Sequence, residues 1–131
     1  MQICRFALDE ANEIWLVVSM DLPTIKNSKL CLELMTQLGF INKVKLVLNR
    51  AGADVGLEDH DILETLEMPV PFKIPSDGKA VIGALNKGKP FIAEFPLSKA
   101  SEAIFKIVET LTGLKQEPVL RKSWLKFFRR K

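Results

Sequence analysis

EIWLVVSMDLPTIKNSKLCLELMTQLG, Glu13 to Gly39, decides the fold because its apolar pattern changes period midway. Ile14 to Val18 is a continuous apolar run of strand length, which predicts a strand buried on both faces. From Leu22 the spacing becomes helical. Pro23 suits a first helical turn, where its missing N–H removes no internal bond, and Gly39 supplies a stop. Ile25, Leu30, Leu34 and Leu38 fall near one helical face and are expected to point inward.

Outward from this unit the pattern repeats. KVKLVLNR, Lys43 to Arg50, predicts a second strand buried on both faces, followed by a glycine-containing loop at Ala51 to Gly56. Leu57 to Leu66 returns to helical spacing, with Glu58, Asp59 and Asp61 in the first turn, where they complement the helix dipole. Met68-Pro-Val-Pro breaks that helix. A short strand at Phe72 to Ile74 leads into the turn Pro75-Ser76-Asp77-Gly78, then a brief helix from Lys79 to Leu85 that stops near Gly88 and Pro90. Ser98 to Leu114 predicts a longer amphipathic helix with Ser98 as N-cap, Gly113 near its end, and Ala100, Ile104, Ile107, Val108 and Leu111 inward. Strands alternating with helices imply right-handed crossovers and an open, mainly parallel α/β sheet with flanking helices. Ligands of such sheets bind beyond the carboxyl ends of the strands, so the working loops begin at Ser19, Asn49 and Pro75.

Composition is compatible with this reading. The chain has 131 residues, 47% hydrophobic and 27% charged, which is enough to build a core without disulfides or a structural metal. Cys4 and Cys31, without CxxC spacing and without a secretory leader before them, are expected to be packing residues of a reduced, cytoplasmic protein. No run approaches the ~20 apolar residues that a membrane span needs. The formal charge of +3 is unevenly placed: Leu120 to Lys131 holds six basic residues and no acidic one, whereas the preceding residues hold thirteen basic against sixteen acidic. A mildly acidic body therefore precedes a strongly basic tail that should seek phosphate-bearing surfaces.

The obvious chemical motifs are weak or missing. Gly83 to Lys89 matches GxxxxGK, the opening of a phosphate-binding loop, but it follows a predicted helix and is succeeded by Pro90 instead of a hydroxyl-bearing residue. It reads as a turn that ends a helix. GxGxxG, HExxH, GxSxG and paired Cys or His at metal spacing are absent. His60, flanked by Asp59 and Asp61, is expected to be a solvated surface residue.

LVLNR (Leu46 to Arg50), DHDILETLEMPVPFKIPSD (Asp59 to Asp77) and VIGALNKGKPF (Val81 to Phe91) resemble, in this order and spacing, the carboxyl half of the MinD/ParA ATPases. Within that family they are similar to the Flp pilus assembly branch, CpaE/TadZ-like, as is EIWLVVSMDLPTIKNSKLCLELM. The resemblance runs from Glu13 to Leu114 and implies an incomplete P-loop NTPase-like layer structure, residues 1–118, with residues 119–131 as a tail. It implies a nucleotide-dependent dimerising switch that places machinery at a membrane or cell pole, with ATP and Mg as cofactors. In the family the deviant Walker A loop and the magnesium-binding aspartates lie upstream of the part resembled, so no hydrolysis is expected from this chain alone. The expected partners are a second copy or the upstream half of the same ATPase, together with pilus or cell-positioning proteins; nucleic acid is not expected.

By the same resemblance, Asn49, Arg50, Pro75, Ser76 and Asp77 map onto the adenine side of the nucleotide site. An Asn amide offers both a donor and an acceptor to the adenine edge, and a backbone turn supplies further polar groups. On spacing alone, Asn49 can equally be a strand-end cap and Pro75 a plain turn residue.

In the tail, Leu120, Trp124, Phe127 and Phe128 recur at i, i+4, i+7 and i+8, with Leu125 at the flank. Lys122, Lys126, Arg129 and Arg130 lie largely opposite. This is the pattern of a helix lying in an anionic membrane interface, and MinD proteins similarly end in a basic amphipathic membrane-targeting helix. The expectation is peripheral attachment to the inner face of the membrane, strengthened when dimerisation doubles the anchor. A terminal helix that packs Trp124, Phe127 and Phe128 on the body, and a nucleic-acid clamp, are the alternatives.

Overall fold

The computed structural model describes residues 2–52 and 59–114, with side chains from residues 5 and 60 onward in the two stretches. The order of elements is α1 (Gln2–Glu10), β1 (Ile14–Ser19), α2 (Leu22–Gln37), β2 (Val44–Ala51), α3 (Asp59–Leu66), β3 (Phe72–Pro75), α4 (Gly78–Leu85), α5 (Phe91–Glu94) and α6 (Lys99–Thr112). The strands form an open parallel α/β sheet in the order β1-β2-β3. β1 and β2 pair in parallel, with Ile14 beside Val44 and each step in register to Ser19 beside Asn49. The chain divides into two compact units between Lys73 and Ile74.

In the first unit the core is the face on which α2 and α3 lie. Val18, Met20, Ile25, Leu32, Val44, Leu46, Leu48, Ile62 and Leu66 form one buried cluster. Contacting apolar side chains of this kind are the main stabilising term of a small domain. Val47, on the opposite side of β2 from Leu46 and Leu48, is also buried, as the unbroken apolar run predicts. β1 differs from the expectation. Val18 is 1% exposed, but Val17 on the other face is 55% exposed, so β1 is covered on one side only. Its sequence run resembles that of β2, but among the described residues β1 pairs with β2 alone.

The expected inward face of α2 also needs correction. Ile25, Ser28 and Leu32 are buried and Met35 packs against the core, whereas Leu30 is 63% exposed and Leu34 and Leu38 also face solvent. The helix carries two apolar stripes about half a turn apart, and the one with the small Ser28 is the one that packs. Asp21 caps its N-terminus, its Oδ1 accepting the Thr24 amide at 2.9 Å. At the other end Gly39 adopts φ +79, the left-handed turn that glycine permits.

α1 is an element the sequence reading did not anticipate. The Lys43 ammonium donates to the Asp9 carbonyl at 2.7 Å and to that of Leu8 at 3.3 Å, satisfying acceptors at the carboxyl end of this helix. Cys31 is a free, half-buried thiol of α2; the side chain of Cys4 lies outside the described residues.

In the second unit α4 packs on the short α5, which was also not anticipated. Ser98 caps α6 by accepting the Ser101 amide, and Gly113 at φ +67 closes that helix, both as predicted. Ala100 and Ser101 are buried, and Ile104, Ile107 and Val108 are half-buried; Leu111, expected inward, is half exposed to solvent. Among the described residues no helix is long and apolar enough to cross a membrane.

Candidate functional site

The parallel register places the ends of β1 and β2 side by side, because Ser19 and Asn49 are direct partners. Beyond Ser19 the chain turns sharply, with the Asp21 amide donating to the Ser19 carbonyl at 2.8 Å, before Asp21 starts α2. Beyond Asn49, Arg50 is a non-glycine residue with φ +59, and Gly52 follows at +69. A left-handed conformation costs an L-residue roughly 1–2 kcal/mol, so local bonds must hold Arg50 there. One such bond is visible: the Arg50 amide donates to Asn49 Oδ1 at 3.0 Å. This contact fixes the Asn49 carboxamide and leaves its NH2 group as a donor pair.

Asp21 is the acidic member of this strand-end group, and the sequence reading assigned it no role of its own. Hydrogen bonds from Thr24, side chain first and amide second, hold its carboxyl below the usual range, and the positive charge of Arg50 lowers it further. The signal for its role was present in the order Asp-Leu-Pro-Thr, an N-cap residue directly before a proline in the first helical turn. Asn49, Arg50 and Asp21 are thus brought together where open α/β sheets bind their ligands.

Pro75 is the last residue of β3, and Ser76 and Asp77 follow it; all three belong to the second unit. Pro75 and Asp77 are half-buried and Ser76 is exposed. Asp77 caps α4, its Oδ1 accepting the Ala80 amide at 3.2 Å, so this segment is held by the helix it starts.

The GxxxxGK stretch has no phosphate-binding geometry. Gly83 lies within α4, Gly88 takes φ +62 in the turn after it, and the Lys87 and Lys89 ammonium groups pair with Glu94. The pairing with Lys87 in particular holds the Glu94 carboxyl below the usual carboxylate range. His60 is exposed between Asp61 and Glu64, with Nε2 3.0 Å from Glu64 Oε1. Among the described residues no group of three or more His, Cys, Asp or Glu is placed to hold a metal ion. No step through magnesium follows from these residues. The tail positions Leu120, Lys122, Trp124, Leu125, Lys126, Phe127, Phe128, Arg129 and Arg130 lie outside the described residues.

Comparison with solved structures places the fold. A ParA family ATPase from Chlorobium tepidum superposes with a TM-score of 0.72 at 22% identity, over 79% of this chain and 44% of the other. This is a MinD/ParA-like fold. The MinD cell division protein of Aquifex aeolicus matches with a TM-score of 0.68 at 23% identity, over 86% of this chain and 49% of that one. MinC:MinD cell division protein complex from Aquifex aeolicus gives 0.69 at 21% identity, over 89% and 49%. The chain therefore spans about half the length of the solved structures it matches. No protein-family model and no curated protein sequence matches it.

Proposed function

We propose that this chain is the carboxyl-side portion of a MinD/ParA-like ATPase of the pilus-assembly or cell-positioning type. In this reading it contributes adenine-side nucleotide contacts, self-association and membrane placement, and hydrolysis requires a phosphate-binding half that it does not itself provide. The observation that carries the proposal is the arrangement of Asn49, Arg50 and Asp21 at adjacent strand ends of a MinD/ParA-like sheet. The NH2 group of Asn49, pinned by the Arg50 amide, would donate to a ring nitrogen of adenine. Pro75, Ser76 and Asp77 are assigned to the adenine side by the family resemblance alone.

The tail, 119–131, would lie in an anionic membrane interface through Leu120, Trp124, Leu125, Phe127 and Phe128, with Lys122, Lys126, Arg129 and Arg130 on the headgroups. Basic residues near an anionic surface contribute roughly 1 kcal/mol each, so one tail binds reversibly and two bind by avidity.

A second reading has its own observation. The exposed stripe Leu30, Leu34 and Leu38 on α2 suits a non-enzymatic adaptor that binds a protein partner and a membrane. Calorimetric titration with magnesium ATP separates the two. The ATPase-portion reading expects binding that is weakened about tenfold or more in Asn49→Ala, the loss of one buried hydrogen bond to a ligand. Absence of binding in the unsubstituted chain would overturn the nucleotide part and favour the adaptor. Cosedimentation with anionic liposomes, with and without residues 119–131, tests the anchor, and equal binding by both would refute it.

A further inference from the structure

We infer that the outward face of α4 is a second lipid-contacting surface, on which Ile82 and Leu85 enter the headgroup boundary of an anionic membrane while Lys79, Lys87 and Lys89 hold its phosphates. The inference rests on the membrane placement proposed above and deepens it, because it gives the folded body a contact of its own beside the tail.

α4 buries its small residues and exposes its large ones. Ala80 and Ala84 are buried, whereas Ile82, about half a turn round the helix from both, is 60% exposed and Leu85 is 70% exposed. An amphipathic helix of a water-soluble surface ordinarily has the reverse order, with its large aliphatic side chains inward. The charge is equally one-sided. Residues 78–90 carry three lysines, Lys79, Lys87 and Lys89, and no acidic residue, although the chain before Leu120 has an acidic excess. All three lysines are exposed. Lys87 and Lys89 stand in the turn that follows Leu85, which is closed by the Lys89 amide donating to the Ala84 carbonyl at 3.1 Å. A single carboxylate, Glu94 of α5, pairs with both, and the Lys87 ammonium lies 5.5 Å from the centre of the Phe95 ring. Two ammonium groups that share one carboxylate leave a net positive charge beside Leu85. All of these residues belong to the second unit and none lies on β1 or α2, so their exposure does not turn on what pairs with the outer edge of β1.

The side-chain types favour lipid over protein or nucleic acid. Protein interfaces are enriched in aromatic residues, Met and Arg and depleted in Lys, whereas this face offers aliphatic side chains and lysines. A nucleic acid would take the lysines through its phosphates but gives Ile82 and Leu85 nothing to enter. An anionic bilayer uses both kinds of group. Aliphatic side chains settle at the boundary of the acyl chains, and lysines reach headgroup phosphates on flexible stems. Each contact is weak alone, and a face and a tail on one membrane bind by avidity.

The test is flotation of the full chain with vesicles of phosphatidylcholine containing phosphatidylglycerol, and of phosphatidylcholine alone, with lysine acetylation mapped by mass spectrometry on the same samples. The anionic vesicles should protect Lys79, Lys87 and Lys89, while the exposed Lys26 of α2 keeps its reactivity. The double variant Ile82→Ser, Leu85→Ser should bind about tenfold or more weakly with circular dichroism unchanged, and Lys79→Glu about fivefold or more weakly. The tail is read in parallel through Trp124→Ser, Phe127→Ser. Binding in which the three lysines stay reactive and the α4 double variant matches the unsubstituted chain would overturn the inference and leave the tail reading standing. Loss in the α4 variant with none in the tail variant would uphold the inference and refute the tail reading. A chain that floats with neither vesicle would overturn both. Protection of the same lysines by duplex DNA and not by vesicles, undiminished in the α4 variant, would overturn the inference in favour of nucleic acid.

Discussion

Val17 and Val18 are the same residue type, adjacent in one strand, and differ only in which face of the sheet they occupy. Val18 is 1% exposed within the core of the first unit and Val17 is 55% exposed. Truncation to alanine removes two methyl groups at either position. At roughly 0.8 kcal/mol per buried carbon, Val18→Ala loses about 1.6 kcal/mol of transfer free energy. The void adds to this, since two methyl groups occupy on the order of 50 Å³ and an unrelaxed cavity costs about 24 cal/mol per Å³, or roughly 1 kcal/mol. Val17→Ala forfeits less than half of the transfer contribution, about 0.7 kcal/mol, and opens no cavity. The loss of β-propensity is common to both and cancels. Val18→Ala should therefore be less stable than Val17→Ala by about 1.5–2 kcal/mol in urea titrations followed by far-ultraviolet circular dichroism, at concentrations low enough to keep the chain monomeric. Equal losses would show that the outer face of β1 is packed in solution. That would refute the one-sided burial of β1.

Glu67 ends α3 with φ +52, and its exposed ion pair with Lys29 at 3.3 Å adds little. Glu67→Gly relieves a left-handed cost of roughly 1–2 kcal/mol against a glycine entropy cost of about 0.5–1, so urea titration should show a gain of about 0.5–1 kcal/mol; a loss would contradict the backbone assignment. Glu13, Asp21 and Glu94 are all held below the usual carboxylate range, by Lys45, Thr24 and Lys87 respectively as the leading partners. A depressed folded-state pKa contributes stability that is present above the unfolded value, ~4, and lost as pH falls through the folded one. Melting temperature should thus decline as pH drops from about 5 toward 2, and Lys45→Met should reduce that decline; an acid-insensitive melting temperature would count against these pairings.

Much of this architecture was legible because strand and helix periods differ so clearly at Val18 to Leu22 and at Leu48 to Ile62. Periodicity failed where two answers shared one pattern. α2 has apolar residues on both stripes, and the leucine-rich one faces solvent because the sheet accepts Ile25, Ser28 and Leu32 at closer range. β1 and β2 have similar apolar runs, yet among the described residues β2 has a strand on each side and β1 on one. Position in the sheet is a property of the whole topology and leaves no mark on six residues. α1 and α5 are short and lean on tertiary contacts, the Lys43 cap for one and packing on α4 for the other. At the site, Asn49 was legible as lying near the carboxyl end of a strand, which runs on to Ala51, but the left-handed backbone of Arg50 was not, since neither glycine nor asparagine stands there to announce it.

The carboxyl-end loops also bear on which part of a nucleotide this chain can hold. A helix N-terminus ordinarily favours phosphate, through unpaired amides and the positive end of the dipole. Both helices that start at the described strand ends already carry an aspartate in that position. Asp21 occupies the Thr24 amide of α2 and Asp77 the Ala80 amide of α4. Each carboxylate both uses an amide that a phosphate would need and repels the phosphate charge, while Arg50 partly neutralises Asp21 instead of standing free. Among the described residues, what the end of β2 offers is the pinned NH2 group of Asn49, which suits an uncharged heterocycle. Adenosine and ATP should therefore bind this chain with affinities within a few-fold of each other. Calorimetry with the two ligands under identical salt decides the point, because a phosphate-binding element would give ATP an advantage of several kcal/mol from charge-assisted hydrogen bonds. A preference for ATP of a hundredfold or more would refute the base-side assignment and require cations to engage the triphosphate elsewhere in the chain.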